Sequence, residues 1–243
     1  ILDISKNLRE AYLVVESKRE QISRLGRKIS ENIFQKIGFE PKEDDSLQIT
    51  IARDILLWTA HIFGSQRATQ FGAKKFQNLL NGEKVHADIL SSILRIGAAT
   101  NDEAMEYLMK KVMSTATSEL EKVYCLNALG CLKERQKVLS ALEFNLEKVP
   151  KKNRNQMINM AVQNLVVTDY MWQWFLDNFK KLEQLHPVHF ERVIDSIIPV
   201  SGLGKEEEVK KFFEEYMKKS DTAKDTIKMA LEKLEVNSRL RNS

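Results

Sequence analysis

Apolar residues step by three and four along most of the chain. Ile22, Leu25, Ile29, Ile33 and Ile37 draw one stripe, and Ile51, Ile55 and Trp58 draw another within Ile49–Phe63. Val123, Leu126 and Leu129 follow the same rule, as do Val138, Leu139, Leu142 and Leu146, and then Ile227, Leu231 and Leu234. This spacing belongs to helices that bury one face. Start and stop signals separate the stripes. Ser118-Glu119-Leu120-Glu121 reads as a capping box, with the Ser118 hydroxyl on the Glu121 amide and the Glu121 carboxylate reaching back. Gly130 stands where a left-handed C-terminal residue belongs, and Pro187 suits a first helical position. Asp102 and Asp169 suit N-caps. Gly82, Gly202 and Gly204 mark loops.

Twelve or thirteen helices are expected, with pair starts near residues 46, 86, 118, 153, 187 and 221. The later intervals cluster around 34 residues. A repeat of roughly 20–50 residues built from two helices is the signature of an α-solenoid. The tetratricopeptide consensus is absent, and the repeats share length rather than letters. The expected fold is all-α: a HEAT/armadillo-like α-solenoid of antiparallel helix pairs, one superhelical domain over residues 1–243. The stretch Phe39–Asp45 interrupts it, because Pro41 stops a helix and the acidic run favours a solvated loop. It sets off a leading hairpin (1–38) and a loop (39–46) from a main helical stack (47–243).

Composition narrows the class. Nine Gly and four Pro in 243 residues, with 43% hydrophobic and 30% charged side chains, exclude collagen-like and disordered chains. So few punctuators also argue against an all-β fold. The net charge of +4 is spread over scattered doublets such as Lys74-Lys75 and Lys210-Lys211, with acids near most of them. That pattern is a solvated surface, and no nucleic-acid partner is expected. Cys125 and Cys131 lie six apart among apolar neighbours, so on one helix they face different ways and cannot bridge. A reducing, cytoplasmic setting follows. The longest apolar run, near Ile55–Phe63, is broken by Thr59 and His61, so no membrane partner is expected. Ile1-Leu2-Asp3-Ile4 has no basic region and reads as a cut end, not a targeting signal.

Catalytic signatures are missing. There is no Gly-x-Gly-x-x-Gly, no phosphate loop, no Gly-x-Ser-x-Gly elbow and no His-Glu-x-x-His. Of the four histidines, only His186 and His189 are spaced to share a helical face, and no third ligand accompanies them, so no metal site is expected. Runs such as Glu206-Glu207-Glu208 are a charged surface. Trp172, Trp174 and Phe175 are aromatic enough for a ligand platform, but at helical spacing they read as core. No catalytic residue and no cofactor are assigned to this chain.

A family resemblance runs along the chain in order. Ile37-Gly38-Phe39-Glu40-Pro41-Lys42-Glu43 resembles the "LGWEPKEGE" loop of the C-terminal domain of gluzincin zinc aminopeptidases. That group holds the puromycin-sensitive and endoplasmic-reticulum aminopeptidases and the archaeal tricorn-interacting factors. Arg95-Ile96-Gly97-Ala98-Ala99 with Asn101-Asp102-Glu103-Ala104 is similar to "YRIAA…GDEA", and Asn127-Ala128-Leu129-Gly130 to "LRALG". Trp172–Phe179 is similar to "AWDFLKENW", Glu207–Phe213 to "EEVEAFF", and Ala230–Asn237 to "ALERIRAN".

The resemblance implies a helical superhelix that closes over a separate catalytic domain, which carries the zinc and the exopeptidase loop. Neither motif occurs in this chain. The implied function is non-catalytic: to wall the substrate chamber and help accommodate peptides whose N-terminal residues the parent enzyme removes. The implied partners are that catalytic domain and peptide substrates. Arg53, Arg95 and Arg192 fall in matching segments beside apolar stripes and are the candidate substrate-binding residues, since guanidinium groups suit a peptide carboxylate. The chain also departs from the family. Cys131 stands where some relatives carry an arginine, and Asn164-Leu165-Val166-Val167 replaces their Asn-Pro-x-Gly turn. The alternative is a free-standing HEAT-like scaffold for a protein partner.

Overall fold

In the computed structural model, residues 2–242 are described, and every regular element among them is helical. Ile1, at the head of the cut-end reading, lies outside them. The contacts divide the chain between Lys133 and Glu134 into two compact units. The first holds α1 (Leu2–Val14), α2 (Arg19–Ile37), α3 (Leu47–Ile62), α4 (Gln66–Leu80), α5 (Leu90–Thr100), α6 (Ala104–Met113) and α7 (Glu119–Leu129). The second holds α8 (Arg135–Lys148), α9 (Arg154–Val162), α10 (Met171–Leu182), α11 (Pro187–Ser201), α12 (Glu206–Met217) and α13 (Lys224–Arg241). Single 3-10 turns precede α2, α5 and α9. The expected pair starts fall at or just before α3, the turn ahead of α5, α7, α9, α11 and α13.

In the first unit, α3 packs against α2, α4 and α5, α5 packs against α4 and α7, and α6 packs against α7. Helix α1 rests on α2 and α3. The shared core is fully buried Leu56, Leu57, Phe76, Ile93, Ile96 and Ala128. Burying a Leu, Ile or Phe side chain contributes about 1.5–3 kcal/mol. Packing is close enough that Phe76 lies against the backbone of Gly97, where any added Cβ would overlap its ring. In the second unit, α11 packs against α9, α10 and α13. Trp172 and Phe175 stack at 5.5 Å and meet Phe213, all three buried, and Trp172 Nε1 donates to Glu208 at 2.8 Å. The aromatic run is therefore core, as its spacing suggested.

The loop between α2 and α3 is held from both sides. Arg53 is fully buried on α3. Its Nη1 pairs with Asp45 at 2.5 Å, while Nε and Nη2 donate to the carbonyls of Gly38 and Ile37. Phe39 stacks between Phe34 and Phe71, and Lys75 pairs with Glu40. Gly38 takes φ 72°, which a side chain would resist.

Several caps differ from expectation. Ser118 does accept the Glu121 amide, but the Glu121 carboxylate turns to Lys111 on α6. Gly130 is right-handed at φ −69°, since the chain continues into buried Cys131 and Leu132 and needs no reversal there. Asn101, not Asp102, caps the turn into α6 by accepting the Glu103 amide. Asp169 pairs with Arg135 instead of capping α10. Pro187 does open α11. No helix is long and apolar enough to cross a membrane among the described residues.

Candidate functional site

Three helices of the first unit bring polar chemistry to one place. Trp58 sits on α3 one turn after Asp54, and Arg95 on α5 one turn after Ser91. Because α3 and α5 pack together, these four side chains meet. Asp54 Oδ1 accepts the Ser92 amide at 2.8 Å and so caps the first turn of α5 from a neighbouring helix. Its Oδ2 takes Nη2 of Arg95 at 3.3 Å. The same guanidinium donates to the hydroxyl and carbonyl of Ser91 and lies over the Trp58 indole, 5.4 Å from its centroid. Trp58 is only 7% exposed, and its indole N–H has no hydrogen-bond partner among the described residues.

A second guanidinium approaches from α1. Burial lowers Arg9 to about 10, and the like charge of Arg95 pushes in the same direction. Cys131 lies beside both cations, yet burial dominates and pushes its thiol up to about 12. Cys125 is raised to about 12 by burial as well, and both cysteines are unpaired. Neither is an activated nucleophile. His61 stacks on the other side of this group, 5.2 Å from Trp58, with Nδ1 at 2.9 Å from the Thr69 hydroxyl. Burial lowers it to about 4, so the ring is neutral at pH 7.

The candidate arginines have different settings. Arg95 lies in this cluster. Arg53 spends its donors on the loop between α2 and α3, although it neighbours Asp54 in sequence. Arg192 is exposed on α11 in the second unit, where its charge helps lower nearby His189 after the larger effect of burial. Arg9 and the Trp58 N–H carry no sequence signal of a site: an arginine on an amphipathic helix is ordinary, and Trp58 reads as part of an apolar stripe.

Beside the cluster, a groove of about 620 Å³ opens between α3, the turn before α5, and the start of α7. Ile51, Leu120 and Tyr124 supply much of its apolar lining; Asp54, Asp88 and Glu121 are its charged residues. No group of three His, Cys, Asp or Glu side chains able to hold a metal occurs among the described residues. His186 and His189 face each other at 5.9 Å without a third ligand.

Among the described residues the arrangement gathers charged and hydrogen-bonding side chains without a group able to hold a metal. None of the curated proteins compared with the chain matches it. The family model described as the ERAP1-like C-terminal domain matches residues 1–236, nearly the whole chain. The chain accordingly belongs to the ERAP1-like C-terminal domain family of M1 aminopeptidases.

Proposed function

We propose that this domain walls the peptide chamber of an M1 aminopeptidase and grips the distal end of the substrate. The observation that carries the reading is the guanidinium of Arg95, held over Trp58 and beside Asp54 and Ser91 at the edge of a groove. Arg9 adds a second positive charge near Arg95, and a carboxylate bound by Arg95 would offset the repulsion between the two. The free C-terminus of a peptide has this chemistry. Of the candidate arginines in the first unit, Arg95 is central, and Arg53 acts by holding the loop that precedes α3.

A solenoid of antiparallel pairs fits this role. Its support is the successive packing of α3, α5 and α7 in the first unit, and of α9, α11 and α13 in the second, with short connections through the helices between. In this reading zinc and peptide-bond hydrolysis reside in the catalytic domain of the parent enzyme, and this chain contributes substrate contacts. The two unpaired cysteines suit a reducing, cytoplasmic setting. The competing reading is a scaffold whose partner is a folded protein.

Fluorescence anisotropy with short labelled peptides tests the proposal. Peptides with a free C-terminal carboxylate should bind at least tenfold more tightly than their C-terminal amides, and Arg95→Gln should remove the difference. Equal binding of acid and amide would sink the carboxylate grip and favour the scaffold.

A further inference from the structure

We infer that the groove between α3, α5 and α7 receives a lysine or arginine side chain from the distal part of the peptide. This inference rests on the substrate-binding reading above and names a side-chain preference for it. The groove has two properties that together select its occupant. Its lining is apolar where Ile51 and Leu120 stand in it, 46% and 61% exposed. Its charged lining residues, Asp54, Asp88 and Glu121, are all acidic, with no lysine, arginine or histidine among the lining residues.

The partners of these carboxylates set how much charge remains. Asp54 is saturated, with one oxygen on the Ser92 amide and the other on Arg95. Asp88 meets His86 through Oδ2 at 3.5 Å, and Glu121 meets Lys111 through Oε1 at 3.2 Å. The second oxygen of each carboxylate has no further partner among the described residues: Asp88 stands in the turn before α5 and Glu121 in the first turn of α7. A long side chain with an aliphatic stem and a cationic head fits this combination. Its methylenes cover Ile51 and Leu120 while its head reaches the two spare oxygens. An acidic side chain would meet three carboxylates there, and a purely aliphatic one would desolvate them without return.

The groove adjoins the carboxylate grip, because Asp54 and Ser91 belong to both: they line the groove and bond Arg95. One peptide can therefore engage both. Matched peptides carrying lysine, norleucine or glutamate at alternate positions of their distal half, each as free acid and as amide, test the proposal by anisotropy. Lysine peptides should bind roughly five- to tenfold more tightly than norleucine peptides, and glutamate peptides more weakly still. The lysine advantage should shrink in high salt. Asp88→Asn together with Glu121→Gln should abolish it while the preference for the free acid stays, with circular dichroism verifying the fold. Equal binding of lysine and norleucine peptides, or a lysine preference that survives the double substitution, overturns the groove assignment and leaves the carboxylate grip standing. Absence of binding by every peptide overturns both.

Discussion

The guanidinium of Arg95 lies over the Trp58 indole, 5.4 Å from its centroid, while a nitrogen of the same group reaches Asp54 at 3.3 Å. Planarity is what allows both contacts at once, and a lysine ammonium would have to choose between them. Arg95→Lys should lower the unfolding free energy by about 1 kcal/mol. Urea titration followed by tryptophan emission checks this; an unchanged midpoint would mean that the stack contributes nothing.

His61 makes stability depend on acid. Its folded-state pKa, about 4, lies below the ordinary 6.5 because burial disfavours the charged ring. Between these values the unfolded chain binds a proton that the folded chain does not. The contribution is whole above pH 6.5 and drains away as pH falls towards 4, by on the order of 3 kcal/mol. The difference in unfolding free energy between the wild type and His61→Gln should follow this window. A difference independent of pH would refute it.

Ala223, just before α13, is the one residue other than glycine with positive φ, at 59°, among the described residues. The left-handed region costs a β-carbon about 1 kcal/mol. Ala223→Gly removes that strain and loses a small buried methyl, so a net gain of about 0.5 kcal/mol is expected by thermal melting. Ala223→Val should melt lower than either.

Gly97 leaves no room for a methyl group. A Cβ there would overlap the Phe76 ring, which is itself fully buried. Gly97→Ala should destabilise by about 2 kcal/mol despite the better helix propensity of alanine. Phe76→Leu in the same chain should restore part of the loss, and a double-mutant cycle measures how much.

Helix positions were legible because the apolar stripes at Ile22–Ile37 and Val138–Leu146 state their period directly. Pro187 and Ser118 marked starts for equally local reasons. Caps that depend on tertiary partners were not legible. Glu121 leaves the box it was expected to close because Lys111 arrives from α6, and Asp169 leaves α10 because Arg135 arrives from α8. The candidate site divides the same way. Arg95 could be singled out beside an apolar stripe, whereas Arg9 reaches it through the packing of α1, which no spacing encodes. Arg53 lies on the side of α3 opposite the stripe of Ile51, Ile55 and Trp58, and only its contacts with Asp45, Gly38 and Ile37 show that it fastens the loop.

The Arg53 clamp has a kinetic side. Its three bonds join residues only 8, 15 and 16 positions apart, although they fasten a loop between two helices. Closing so short a span loses little chain entropy, whereas the contact of Asp54 with Ser92 must close 38 positions. The α2–α3 hairpin is then the cheapest tertiary structure for the first unit to make, and the natural place for its folding to begin. Arg53→Met should slow refolding more than it hastens unfolding, so that chevron analysis places this side chain within the nucleus around which later helices condense.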